Sequence, residues 1–256
     1  MVEFLIDQAM KEAIDLQNRN QLDDAKSIYN KILVHDKNNS DAHHLLSLIY
    51  LVEGKLDDAR SHIINAIELQ PEISVYHSNY ANILYQSNNL EFSIQEHKRA
   101  IKLDKKNFQS FYSLGVIYTH LKNYDKAVEN YKKALSLDAN SSVAHNNLAN
   151  IYNNINPNEA EHHYLKVLEL TSNDPMPYIN ISNYYLKNTK YKKCVEVLEE
   201  ALNKDVTSKE LYNNLGIAYY ATKDNIAAKK MFKHALEIDN SYKPAIDNIK
   251  NMENAG

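Results

Sequence analysis

The stretch FYSLGVIYTHLKNYDKAVENYKKALSLDAN, Phe111–Asn140, decides the reading of this chain, because the chain repeats its pattern. A shift of 34 residues towards the N-terminus brings it onto HSNYANILYQSNNLEFSIQEHKRAIKLDKK, and another version opens at Tyr212. A small residue recurs midway in a first segment: Ala13, Ser47, Ala81, Gly115, Ala149, Ser182 and Gly216. Three places on comes a bulky one: Leu16, Tyr50, Leu84, Tyr118, Tyr152, Tyr185 and Tyr219. A second small residue opens the next segment: Ala25, Ala59, Ser93, Ala127, Ala160, Cys194 and Ala228. A third column is mostly alanine.

Within a repeat the apolar residues Ala127, Val128, Tyr131, Ala134 and Leu135 fall on one helical stripe. Small residues let two helix axes approach, and bulky ones fill the space beside them. Glycine (4) and proline (5) are scarce, which favours helix and opposes a sheet with glycine-bearing turns. One hairpin cannot bury its stripe alone, so hairpins must stack.

The period, the small–aromatic pair and the alanine–tyrosine–alanine pattern resemble the tetratricopeptide repeat. The resemblance runs over nearly the whole chain and implies an all-α, right-handed superhelical solenoid. Seven hairpins are expected near 6–39, 40–73, 74–107, 108–141, 142–174, 175–208 and 209–242, with a capping helix at 243–254, as one domain. The fifth unit is one residue short in its turn, NNINPNEA, where Pro157 suits a helix start. Tryptophan is absent, and the early aromatic column reads Ala9, His43, His77, Phe111, His145, Tyr178 and Tyr212.

The formal net charge is −4 and the longest basic cluster is KLDKKNF, which opposes nucleic-acid binding. One cysteine excludes an intramolecular disulfide, and Cys194 reads as a buried small hydrophobe in its column. MVEFLIDQAM lacks the basic and apolar regions of a signal peptide, and no run is long enough for a membrane span. The chain therefore reads as cytoplasmic. The histidines show no metal-ligand spacing, no phosphate loop or nucleophile elbow is present, and no cofactor is implied. The expectation is a non-enzymatic scaffold whose partner is a protein or peptide.

One column, two residues before the small one, is rich in amides: Asn79, Asn147, Asn180 and Asn214, continued by Asn248 and interrupted by Ser113. Three residues on stand Asn82, Asn150 and Asn183. In tetratricopeptide arrays the first helices line the concave face, so the resemblance puts these side chains in a groove. Each amide can accept from a peptide N–H and donate to a peptide C=O. The arrangement resembles the asparagine ladder of the O-linked N-acetylglucosaminyltransferase, and it implies a clamp for an extended peptide. Asparagine abundance and repeat duplication would produce the same column, and the sequence leaves the choice open. The lysine and arginine partners of a chaperone carboxylate clamp are missing beside Asn146, Asn150, Asn180, Glu210 and Asn214.

Towards the first hairpins the same columns turn apolar: Met10, Ile14, Leu45, Leu48, Leu51 and Val52. These form either a contact patch, for a partner or for the chain's own EFLI in a dimer, or a tighter packing of the first hairpins. Tyr85, Tyr112 and Tyr220 fall outside the core columns and are expected to face the groove. The alternatives to a free-standing scaffold are a substrate-recruiting segment of a larger glycosyltransferase-like enzyme, an RNA-binding helical repeat, and an assembly protein that self-associates through its ends.

Overall fold

The computed structural model describes residues 2–171 and 173–254, with side chains from Leu5 onward. The Glu3 and Phe4 side chains of the expected dimer segment lie outside the described residues. The described residues form fifteen α-helices and no strand. The first eight are α1 (Val2–Asn18), α2 (Leu22–His35), α3 (Ser40–Val52), α4 (Leu56–Leu69), α5 (Ser74–Gln86), α6 (Leu90–Leu103), α7 (Phe108–His120) and α8 (Tyr124–Leu137). Then follow α9 (Ser142–Ile155), α10 (Pro157–Leu170), α11 (Pro175–Lys187), α12 (Tyr191–Asn203), α13 (Lys209–Ala221), α14 (Asn225–Ile238) and α15 (Lys243–Asn254). The chain divides into two compact units, one ending at Asp138 and one starting at Ala139.

Local sequence sets the helix ends. Asn39, Asn107, Asn123, Ser141, Ser208 and Asp224 accept a backbone N–H three residues on, the usual way to satisfy a first-turn donor. The turn inside each hairpin holds one residue in the left-handed region: Asn20, Gly54, Asn88, Lys122, Thr189 and Lys223. The fifth hairpin is the exception. There α9 runs on to Ile155, Asn156 stands at φ −153° and ψ 80°, and Pro157 starts α10. The residue missing from that repeat is thus the left-handed one, and proline supplies the fixed φ that restarts the helix.

Small and large columns interlock inside the hairpins. Ala13, Ala25, Tyr29, Ile32, Ala42, Leu46 and Ile49 form the first core. Gly115 faces Tyr131 so closely that an added Cβ would lie 2.6 Å from its ring, and Gly216 meets Phe232 in the same way. Burial of these apolar columns is the main stabilising term, at about 25 cal/mol per Å². At the other end Ala245, Ile249 and Met252 of α15 pack on Phe232 and Tyr219, while Asp247, Lys250 and Glu253 stay exposed. This amphipathic helix covers the last hairpin.

Candidate functional site

The amide columns lie on the odd-numbered helices, and the structure shows them bonded between neighbouring repeats. In the second unit Asn180 of α11 donates to Asn146 Oδ1 of α9 at 2.8 Å. Asn214 of α13 donates to Ser182 Oγ at 3.0 Å and to Asn183 Oδ1 at 2.9 Å on α11. Asn248 of α15 donates to Asn213 Oδ1 at 3.0 Å. Asn150 accepts the Tyr164 hydroxyl at 2.7 Å, and Asn147 is half-buried on the same helix. The columns expected to hold a peptide therefore also hold each other. Asn214 is buried with both amide protons engaged, whereas the carbonyl oxygens of Asn180 and Asn248 remain uncommitted.

The first unit uses the same columns more sparingly. Asn79 of α5 donates to His44 Nε2 of α3 at 2.7 Å. Burial holds the His44 ring below its ordinary pKa of 6.5, which leaves that nitrogen free to accept. Ser113 of α7 reaches Asn82 Oδ1 only at 3.4 Å. Between α5 and α7 a pocket of about 400 Å³ opens. Tyr85, Tyr112, Leu51 and Val116 give it apolar walls, while Asn82 and Gln109 supply amides. Three groups singled out in the sequence thus meet at one place: the groove tyrosines, an amide of the second column and an apolar residue of the N-terminal patch.

His97 of α6 also lines this pocket, and nothing in the sequence reading singled it out. It is fully buried, its Nδ1 lies 3.2 Å from Ser110 Oγ, and its Nε2 has no hydrogen-bond partner. Burial pushes its pKa down to about 4, so the ring is neutral near pH 7. The signal was present as a column: Tyr29, Ile63, His97, Tyr131, Tyr164, Leu198 and Phe232, in which histidine is the odd member. Asn213, the acceptor for Asn248, was also missed, because it lies one place off the amide column.

The apolar patch is divided. Met10 and Leu45 pack on the first core, and Leu51 packs on the next. Leu48 is half-buried, whereas Ile14 is 38% and Val52 74% exposed. A separate cavity of about 440 Å³ lies between α1 and α2, lined by Leu5, Ile6, Ala9, Ile28 and Ile32. Ala9 stands where later repeats carry rings.

Those rings pair across their hairpins. His43 and His62 approach through their Nδ1 atoms at 2.9 Å, as do His145 and His163 at 2.8 Å, and His77 meets Glu96 at 2.6 Å. Among the described residues no three histidine, cysteine or carboxylate side chains converge on one point. Cys194 is buried, which raises its thiol to about 12 and keeps it protonated. No described helix is long and apolar enough to cross a membrane.

Family models for the tetratricopeptide repeat match residues 108–141 and 209–242, and a TPR repeat model matches 81–122. A TPR repeat-containing protein of Methanocaldococcus jannaschii is 27% identical over 119 residues, covering 44% of this chain and 21% of that protein. The small glutamine-rich tetratricopeptide repeat-containing protein 2 of Mycosarcoma maydis is 34% identical over 84 residues, covering 33% of this chain and 24% of that protein. The match thus spans a quarter or less of these curated relatives. Among solved structures, the C-terminal part of a TPR repeat-containing protein from Cytophaga hutchinsonii has a TM-score of 0.73 at 21% identity, over 93% of this chain and 98% of that one. Family matches at two separated stretches, on hairpins whose small and ring columns interlock, establish tetratricopeptide repeats within this chain.

Proposed function

We propose that this chain is a non-catalytic scaffold that binds an extended peptide segment along the faces of its odd-numbered helices. The observation that carries this reading is the pocket between α5 and α7, where aromatic walls and amides meet. Such a mix buries an apolar side chain while offering hydrogen bonds to a backbone. The second unit offers hydrogen-bonding groups of its own, those that the mutual bonds of its amides leave over, notably the carbonyl oxygens of Asn180 and Asn248. An extended peptide has an unpaired N–H to give to each. One such bond is worth about 0.5–1.5 kcal/mol net, so affinity requires several together.

The test is selection of a displayed library of random 12-residue peptides on the full chain, followed by N-methylation of the best binder one residue at a time. N-methylation removes a backbone donor and leaves the side chains. Methylation at two or more positions is expected to weaken binding about tenfold each, a loss of about 1.4 kcal/mol. A library that yields no binder, or a binder indifferent to N-methylation throughout, would remove the proposal. Asn180→Ala and Asn248→Ala are the protein-side variants of choice, since Asn214 is too deeply bonded to be removed without harming the fold.

A further inference from the structure

The pocket between α5 and α7 has one member of the ring column of the even-numbered helices, His97, among its lining residues. Two tyrosines of that column place the hydroxyl beside a carboxamide oxygen, each in a different column of the odd-numbered helices. Tyr29 donates to Gln17 Oε1 at 2.9 Å, and Tyr164 donates to Asn150 Oδ1 at 2.7 Å. In the third hairpin the column holds His97, and Asn82 is the counterpart of Asn150. Imidazole is shorter than phenol and does not bridge to that amide. His97 is among the residues that line the pocket, and its buried Nε2 has no hydrogen-bond partner.

That nitrogen constrains the ligand. If the Ser110 hydroxyl donates to Nδ1, then Nε2 carries the ring proton and requires an acceptor. If Nδ1 donates to Ser110, then Nε2 is a lone pair and requires a donor. A primary amide satisfies either tautomer, because it carries an acceptor and two donors. A carboxylate finds no counter-charge here, since no lysine or arginine lines the pocket and burial keeps the ring neutral. An aliphatic side chain would leave Nε2 buried and unpaired, which is costly.

We propose that the pocket over His97 is a side-chain subsite that takes a glutamine or asparagine of an extended peptide. It rests on the peptide-binding reading above and adds the chemistry of one residue in the ligand. Tyr85, Tyr112 and Val116 line the pocket for the aliphatic part of the side chain, and Asn82 and Gln109, each also in contact with Ser113, line it with amides.

The test is the same 12-residue library selected in parallel on the wild-type chain and on His97→Phe, a ring of similar size without nitrogen. Binders to the wild type are expected to carry glutamine or asparagine at one fixed position, with about a tenfold preference over leucine or glutamate in defined peptides. His97→Phe is expected to retain peptides but lose that preference. Wild-type binders without an amide at a fixed position, or an amide preference that survives in His97→Phe, overturn the subsite while leaving peptide binding intact. A library that yields nothing removes both readings. Should His97→Phe lose its helical signal, ¹⁵N spectra of the wild-type histidine rings decide the matter. The Nε2 resonance of His97 must move with a glutamine peptide and not with its leucine twin, and equal movement with both overturns the subsite.

Discussion

In the second unit the inner-column amides bond one another from helix to helix, α11 to α9, α13 to α11 and α15 to α13. In the first unit the corresponding columns hold leucines, one asparagine tied to His44, a long Ser113–Asn82 contact and an open pocket. Both units use the same hairpin. The difference teaches that an amide in such a column is not free merely because it lies outside the core. Its neighbour one repeat away is also polar and already within reach, and a ligand must use what that bond leaves over. The pocket lies instead in the first unit, where His97 is among the lining residues and its Nε2 has no hydrogen-bond partner.

Acid should separate the two units most strongly. Above pH 6.5 His97 is neutral whether the chain is folded or not. As pH falls, the unfolded chain takes up the proton while the buried ring resists until about pH 4. Stability from this residue is therefore whole above pH 6.5 and drains away between 6.5 and 4, by about 3 kcal/mol in all. The second unit holds Glu161 differently. Burial works against its charge, but hydrogen bonds from Lys190, Lys193 and Tyr185 outweigh it and keep the carboxyl at about 2. The stability from Glu161 is present above pH 4.5 and is lost only as pH falls from there towards 2. Hydrogen exchange at pH 7, 5 and 4 should show α5–α7 opening in the wild type more than in His97→Phe, and Glu161→Gln should flatten the response of α10–α12 below pH 4.5. Identical pH profiles for wild type and His97→Phe would break the comparison.

The two interlocked glycines offer a sharper contrast at smaller cost. Gly115→Ala drives a Cβ into Tyr131, and Gly216→Ala drives one into Phe232, both at 2.6 Å before relaxation. Overpacking of this kind costs about 1–3 kcal/mol, and both variants should melt earlier. Only one should also disturb binding. Tyr131 packs against Tyr112, with ring centroids 5.8 Å apart, and Tyr112 is a wall of the pocket. Gly115→Ala should therefore weaken a pocket-directed peptide beyond its effect on melting, and Gly216→Ala should not. Equal effects on binding would detach the pocket from the core beneath it.

Asparagine truncation tests the lateral bonds themselves. Asn214→Ala removes two hydrogen bonds from a buried site and should cost about 1–2 kcal/mol in thermal unfolding. Asn82→Ala removes one contact at 3.4 Å and should cost about 0.5 kcal/mol or less. If the order reverses, the first unit's sparing use of amides is not what the distances imply.

Much of this was legible in the residues. The period and its small and bulky columns set every hairpin, because close helix packing tolerates only small residues at the crossing. The one-residue deletion before Pro157 correctly marked an altered turn, and the final helix covers the last hairpin as its pattern required. The amide columns were visible as columns. Their mutual bonds were not, because an amide can reach back to either of two neighbouring positions, as Asn180 and Asn214 do in choosing Asn146 and Asn183. The pocket was least legible. Its lining comes from four helices, α3, α5, α6 and α7, and a polarity pattern read along one helix face does not record a space between several.

The first hairpin supplies the smallest effect. Ala9 occupies the column in which His43, His77 and His145 each meet both the partner helix and a loop carbonyl, those of Lys37, Pro71 and Ala139. The missing ring coincides with a cavity of about 440 Å³ between α1 and α2, walled by Ile6, Ile28 and Ile32. If the cavity is only a defect of an end repeat, filling it should help. Ala9→Phe should then raise stability by about 0.5–1 kcal/mol, because the added ring packs on apolar walls. The same substitution should leave peptide binding at α5–α7 unchanged, since no residue lines both cavities. A destabilised Ala9→Phe would mean that the walls cannot spread to admit a ring. A stabilised variant with altered peptide binding would mean that the first hairpin and the pocket are coupled.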